Sequence, residues 1–252
     1  MENKKAEPVS KEERKRVKAL SQKKVRLENQ MFLIEGVKPV LEAIANISSS
    51  LKLVYVSERL VDQYALVLET VAFKVVSDKE IAALSNLKTS QGMIAVANYF
   101  NIAAKKEGLT LVLDEIQDPG NFGTIIRSAD WFGVKEIVCS SNCVDLYNPK
   151  TIQATMGAAF RMRVEYCDLE EYLAATSLPV YGAFLEGENV YKKPLNTASV
   201  LVMGNEGNGI SDAVAKFISH RITIPRVGES ESLNVGTATS VLLSEFTRST
   251  FL

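Results

Sequence analysis

Short apolar runs alternating with helical stretches predict an α/β chain in two parts. A smaller N-terminal α/β unit precedes a larger C-terminal unit with a mostly parallel sheet and helices on both faces. Three observations carry this. The runs 109–113, 137–139, 179–184, 199–203 and 221–224 are short and largely apolar, as strands buried on both faces are. Segments of helical periodicity lie between them. A polar stretch at 101–108, with Lys105-Lys106-Glu107-Gly108, interrupts the alternation before it restarts.

Residues 1–30 read as a polar helix or arm, with Pro8-Val9-Ser10 leading into a charged run at 11–18. Phe32-Leu33-Ile34-Glu35-Gly36 is a short strand closed by glycine. Val40, Leu41 and Ile44 give 37–47 a helical period. Strands are expected at 51–57, 73–76 and 93–97, and helices at 62–70 and 78–84. The expected organisation is therefore a basic arm at 1–30, a small α/β domain at 31–100, a linker at 101–108 and the main domain at 109–252. No internal repeat or low-complexity tract is present.

Of the 252 residues, 46% are hydrophobic and 23% charged, the balance of a chain that buries a real core. No apolar run approaches the ~20 residues needed to span a bilayer. The charged N-terminus lacks the apolar core of a secretory signal. Cys139, Cys143 and Cys167 are irregularly spaced, which suits a reducing compartment, so the cytoplasm is expected. The net charge of −1 hides an asymmetry. Residues 1–30 hold ten Lys and Arg against five Asp and Glu, a balance of +5, and the rest hold nineteen against twenty-five, or −6. Charge alone leaves two readings of the basic segment open: contact with phosphates, or a solvated terminus.

Three loops follow strands of the main domain, where open parallel sheets bind ligands. In the first, 114–127, Pro119-Gly120 forces a turn and Asn121 reads as the N-cap of a helix reaching 132. Arg127 then lies among Ile125, Ile126 and Ala129, where an arginine is rarely left unpaired, and two readings stay open: a structural pair with Asp130 or Glu115, or a functional group of the loop. In the second, Met203-Gly204-Asn205-Glu206-Gly207-Asn208-Gly209-Ile210-Ser211, three glycines allow close backbone approach, and Ser211 and Asp212 suit the start of a helix. In the third, Ile224-Pro225 leads through a polar loop to Ser232-Leu233-Asn234. A helix follows with Val235, Ala238, Val241, Leu242 and Phe246 as its apolar face.

The glycines match neither the dinucleotide nor the phosphate-loop template, which disfavours NAD and ATP. His220, the single histidine, has no Cys or His at ligand spacing, so no metal is expected. A nucleophile elbow is also missing. Cys139 and Cys143 have no second pair and read as small buried thiols.

Taken in order, the loops resemble the three motifs of the SpoU (TrmH) family of RNA ribose 2′-O-methyltransferases, in the SPOUT superfamily. Asn121-Phe122-Gly123-Thr124-Ile125-Ile126-Arg127-Ser128-Ala129 carries the first, Gly204-Asn205-Glu206-Gly207-Asn208-Gly209-Ile210 the second, and Ile224-Pro225 through Ser232-Leu233-Asn234-Val235 the third. Thr155-Met156-Gly157-Ala158-Ala159-Phe160 is similar to the segment between the first two. The likeness covers about 109–249. Residues 31–100 are more loosely similar to the family's L30e-like RNA-binding domain.

The resemblance implies a C-terminal trefoil knot, a homodimer with its site at the subunit interface, RNA as substrate, and S-adenosylmethionine as methyl donor. It implies that Leu201, Met203, Gly204, Asn205, Gly209, Ile224, Ser232, Leu233 and Asn234 hold the cofactor. Arg127 would be the central catalytic residue, surrounded by Asn121, Glu206, Ser232 and Asn234. Val235-Gly236-Thr237-Ala238-Thr239 departs from the Ser and Ala-rich run more usual there, which bears on helix packing. Ribosomal RNA is favoured over transfer RNA. The competing readings are a non-catalytic RNA-binding or ribosome-assembly factor and a small-molecule enzyme using the same cleft.

Overall fold

A computed structural model describes residues 6–251, which form two compact units. The first comprises the chain up to Asn101 together with Asp145–Phe160, and the second comprises Ile102–Val144 and Arg161 onward.

The first unit opens with two helices, α1 (Lys11–Ala19) and α2 (Lys23–Asn29). Ser10 caps α1 by accepting the Glu13 N–H at 3.1 Å. β1 (Met31–Glu35), α3 (Val37–Ile47), β2 (Leu51–Ser57), α4 (Val61–Leu68), β3 (Phe73–Val76), α5 (Asp78–Leu84) and β4 (Met93–Asn98) follow. The sheet order is β1-β4-β2-β3; β4 is antiparallel to both neighbours and β2 pairs parallel with β3. Residues 11–29 do not stand apart as an arm. Val9, Val17 and Leu20 are buried in one cluster with Leu33, Tyr55, Ile81 and Leu84: Val17 is the buried residue of α1, which packs against α5, and Val9 and Leu20 flank the helix. Glu13 accepts from Tyr55 Oη at 2.8 Å and from Lys74 at 3.2 Å, adding polar ties to the same contact.

A second departure from the expected boundaries is the segment 145–160, which the sequence assigns to the main domain. It carries α7 (Pro149–Thr155) and packs within the first unit. Arg26 is 2% exposed and donates to Asp145 Oδ2 through Nε at 3.2 Å and Nη2 at 2.6 Å. Its Nη1 donates to the carbonyls of Leu20 and Ser21. Tyr147 stacks on Tyr99 with centroids 3.7 Å apart, and Phe32, Phe100 and Phe160 close an aromatic cluster around them. Burial pushes the Tyr147 hydroxyl up to about 12. Gly157 has φ +98, and a Cβ there would lie 2.6 Å from Glu42 Cγ, so only glycine fits.

In the second unit β5 (Thr110–Leu113), α6 (Pro119–Trp131), β6 (Glu136–Cys139), β7 (Val164–Tyr166), α8 (Leu169–Ala175), β8 (Val180–Asn189), β9 (Val200–Met203), α9 (Asp212–Ala215), β10 (His220–Thr223) and α10 (Val235–Thr247) build a six-stranded sheet. Its order is β10-β8-β9-β5-β6-β7 and every pairing is parallel. β7 has no apolar run that would predict it; it is a half-exposed edge strand. Val112, Val138, Val180, Val200 and Val202 pack on one face with Leu169 and Leu173 of α8 and Val214 of α9. Residues of opposite parity face the other way, where Tyr181 meets Phe246 of α10 edge-on at 5.2 Å. Among the described residues no helix is long and apolar enough to cross a membrane.

Candidate active site

Because the sheet is parallel, the carboxyl ends of β5, β9 and β10 open at one edge, and the three loops leave from them. Leu201 and Met203 are 0% and 3% exposed, so their side chains belong to the core and only their backbone borders the loops.

The helix after the first loop begins earlier than expected. Asp118, not Asn121, is the N-cap: its carboxylate accepts the Asn121 N–H at 2.8 Å. Pro119 at the first helical position needs no N–H partner and has φ preset for the helix. Asn121 is thereby placed within the first turn, with its side chain free to look outward. Its Nδ2 donates to Glu206 Oε1 at 2.8 Å, and its Oδ1 accepts from Asn234 Nδ2, also at 2.8 Å. One amide thus joins the three loops.

Each partner is itself held. Asn205 and Gly209 exchange backbone hydrogen bonds of 2.9 and 3.0 Å, closing the second loop into a tight turn. Asn205 Oδ1 accepts the N–H groups of Gly207 and Asn208, and its Nδ2 donates to the Glu115 carbonyl at 2.8 Å. A Cβ on Gly204 would lie 2.2 Å from backbone of Gly209 and Ile210, so the turn requires glycine there. Asn234 is the N-cap of α10, its Oδ1 accepting from Gly236 and Thr237. In α10 the buried stripe runs through Val235, Thr239, Leu242, Leu243 and Phe246, while Ala238 and Val241 are only partly buried. Gly236 lies close to Thr124 of α6, and Ser128 and Ser240 share a 2.7 Å hydrogen bond, so α6 and α10 pack directly.

Arg127 removes one of its two readings, the structural pair. It is exposed on α6, and neither expected partner holds it. Asp130 is paired with Arg161 at 2.8 Å, and Glu115 accepts from Asn142 at 2.7 Å. Its guanidinium has no hydrogen bond or ion pair among the described residues. Ser232 and Leu233 are exposed too, Leu233 by half. Ile224 is partly buried at the start of a loop in which no backbone N–H from 226 to 233 has a partner among the described residues. Gly209 has φ +70 and open space where a Cβ would point.

The supporting roles of Asp114, Ser140 and Cys143 do not follow from the sequence reading of the loops. Asp114, 3% exposed, accepts the Ser211 N–H at 2.8 Å and ties the first loop to the second. Ser140 Oγ accepts from Glu115 N–H, and Cys143 Sγ from Ile116 N–H. A hydrogen bond from Cys139 is the main force holding the Cys143 thiol down at about 7. An acidic residue directly after a buried strand was the available signal for Asp114; nothing local marks Ser140, while Cys139 and Cys143 are the buried free thiols the sequence leads one to expect. Among the described residues no group of three or more His, Cys, Asp or Glu could hold a metal.

A parallel sheet with three interlinked loops at its carboxyl edge defines a ligand-binding α/β domain, and comparison with known proteins gives its family. The model of the SpoU rRNA Methylase family matches residues 108–244, and that of the MRM3-like substrate binding domain matches 11–95. The 23S rRNA (guanosine(2553)-2′-O)-methyltransferase RlmP of Bacillus subtilis (strain 168) is 31% identical over 231 residues, 90% of this chain and 92% of that protein. The 23S rRNA (uridine(2479)-2′-O)-methyltransferase of Streptomyces viridochromogenes is 27% identical over 86% of this chain and 82% of its own length. A TrmH-family structure from Porphyromonas gingivalis superposes with a TM-score of 0.83 at 36% identity, covering 96% of this chain and all of that one. The AdoMet-bound rRNA methyltransferase from Sinorhizobium meliloti gives 0.84 at 27% identity, covering 97% of both chains. The chain belongs to the SpoU rRNA methylase family.

Proposed function

We propose that this protein transfers the methyl group of S-adenosylmethionine to a ribose 2′-hydroxyl of ribosomal RNA. The observation that carries the reading is the Glu206–Asn121–Asn234 chain of hydrogen bonds at the carboxyl edge of the sheet, in a member of this family. Relatives named for guanosine and for uridine targets leave the base unassigned.

The residues suit such a donor. Backbone N–H groups at 226–233, without a partner among the described residues, and the half-exposed Leu233 offer hydrogen bonds and apolar contact to an adenosine. Backbone at Leu201, Met203, Gly204 and Ile224, with Asn205, Gly209, Ser232 and Asn234, would complete the binding set. Bound there, the donor supplies an electrophilic methyl on a cationic sulfur. The chain must orient the hydroxyl in line and ease loss of its proton; positioning contributes several kcal/mol and general-base help typically about 10²–10⁴-fold. We assign orientation to Arg127, as a bidentate clamp on an RNA phosphate. A guanidinium stays protonated, so phosphate or water takes the proton. Asn121, Glu206, Ser232 and Asn234 shape the pocket around it.

The same reading includes a homodimer. Trp131 on α6 is 84% exposed and Val227 fully exposed, surfaces that suit cover by a second copy. It also includes the trefoil knot of the superfamily and a cytoplasmic location. The N-terminal unit serves as the RNA-docking part.

The test is calorimetric titration with S-adenosylmethionine, followed by transfer of tritiated methyl to RNA. Donor binding with RNA-dependent turnover is expected. Binding without turnover would favour an assembly factor, and turnover without RNA a small-molecule enzyme. Mapping ribose methylation in cells with and without the protein would separate ribosomal from transfer RNA.

A further inference from the structure

Three of the described residues other than glycine have positive φ: Gln30, Glu115 and Met156. Gln30 and Met156 are the left-handed residues that end α2 and α7, a common way for a helix to stop. Glu115, at φ +59, ends no helix. A residue with a long side chain is strained in this region and persists there only where its surroundings hold it; such residues gather at functional sites.

Its contacts run to three segments. The Glu115 N–H donates to Ser140 Oγ at 2.9 Å, its carbonyl accepts from Asn205 Nδ2 at 2.8 Å, and its Oε1 accepts from Asn142 Nδ2 at 2.7 Å. In an extended strand the N–H and C=O of one residue point toward the same neighbour. Glu115 sends them opposite ways, one to the residue after β6 and the other to the loop after β9, the two strands that flank β5. Its turned backbone makes this possible. The residues on either side fix the turn: the Asp114 N–H donates to the Met203 carbonyl at 2.9 Å, and the Ile116 N–H to Cys143 Sγ at 3.3 Å. Relaxing Glu115 to negative φ would carry its carbonyl away from Asn205 and its carboxylate away from Asn142.

With its Nδ2 anchored on that carbonyl, Asn205 turns its Oδ1 to the N–H groups of Gly207 and Asn208. The turn so closed carries Glu206, whose Oε1 accepts from Asn121. We infer that Glu115 is a positioning residue of the site: its left-handed backbone, braced by Asn142, sets the 204–209 turn, and through it the Glu206 carboxylate and the backbone assigned to the methyl donor. The inference rests on that assignment. Asn142 lies outside the three loops and is exposed, so the brace can be changed without entering the site itself.

The full-length protein is compared with Glu115→Gln, Asn142→Asp and the double variant. Asn142→Asp sets two carboxylates against each other, whereas the double variant restores the bond with donor and acceptor exchanged. Two quantities are read: calorimetric affinity for S-adenosylmethionine, and hydrogen exchange of the Gly207 and Asn208 amides in the donor-free protein. Asn142→Asp is expected to weaken donor binding about tenfold, the scale of one hydrogen bond to a charged group. Exchange at 207 and 208 should quicken by a similar factor. The double variant should recover most of both losses, and Glu115→Gln alone, which keeps an acceptor for Asn142, should lose less than Asn142→Asp. Wild-type affinity and exchange in Asn142→Asp would overturn the role, even beside a lower urea midpoint, because a merely structural contact behaves that way. So would a loss that the double variant fails to recover. A wild-type protein that bound no donor, with exchange following the expected pattern, would uphold Glu115 as what sets the turn and remove the methyltransferase reading.

Discussion

Asn234 donates its side-chain amide to Asn121 Oδ1 at 2.8 Å, across 113 residues of sequence. The same side chain caps α10 with its oxygen, so a single residue holds both a helix terminus and the seam between two loops.

The two roles separate by substitution. Asn234→Asp keeps the capping oxygen and loses the amide donor, whereas Asn234→Ala loses both. Asn234→Ala is expected to cost about 1 kcal/mol of stability, and Asn234→Asp much less. Both should weaken S-adenosylmethionine binding. Urea melts beside calorimetric titrations check this; an Asp variant with wild-type donor affinity would show that the bridge is not needed.

Arg127 is exposed and has no partner among the described residues, so Arg127→Ala should alter stability by less than about 0.5 kcal/mol. Its methyl transfer to RNA should nevertheless be lost. Arg127→Lys keeps the charge but not the planar fork, and should recover little activity. Tritiated-methyl assays read both, and near-wild-type turnover by the Ala variant would remove the assignment.

The Arg26–Asp145 pair predicts the reverse pattern. Removing one partner of a buried ion pair strands the other, so Asp145→Ala should destabilise by about 3–5 kcal/mol. Arg26→Met combined with Asp145→Leu should be much milder than either single change. Denaturant unfolding measures the difference.

Glu13 predicts a pH effect. Burial would raise its carboxyl, but hydrogen bonds from Tyr55 and Lys74, with the Lys74 charge, outweigh it and lower the pKa. A carboxyl depressed in the folded state stabilises above its unfolded value of about 4.3, and that contribution fades as pH falls through the folded value. Stability measured against pH should therefore drop more steeply below about 4.3 in wild type than in Glu13→Gln. Parallel curves would count against this contact as an acid-sensitive one.

Much of the architecture was legible because its strands are buried on both faces. Leu111, Val112 and Leu113 form an unbroken apolar run that little else in a soluble chain explains. Val164-Glu165-Tyr166 lacks that mark, since an edge strand half open to water tolerates a charge, and it went unseen. The cap at Asp118 was missed because Asn121 is an equally good capping residue; Pro119 decides between them through its fixed φ. A structural partner for Arg127 stayed open because its sequence neighbours are apolar, yet a helix turns each residue about 100° from the last, and Arg127 faces out while Ile125 and Ile126 face in. The site motifs were readable, but their junction was not. Nothing local to Asn121 says that its amide will meet Glu206 and Asn234, a contact set by strand order. Burial of Arg26 likewise depends on Asp145, which lies far away in sequence.

The excursion of 145–160 into the first unit makes this protein hard to divide. A protease cut between 101 and 108 would give two pieces by mass, but the downstream piece still carries Tyr147 and Phe160, whose aromatic partners Phe32, Tyr99 and Phe100 lie in the upstream one. The nicked halves should co-elute under native conditions and part only in denaturant. A clone starting at residue 102 would expose that orphaned aromatic surface to water and precipitate, so neither half is a portable module.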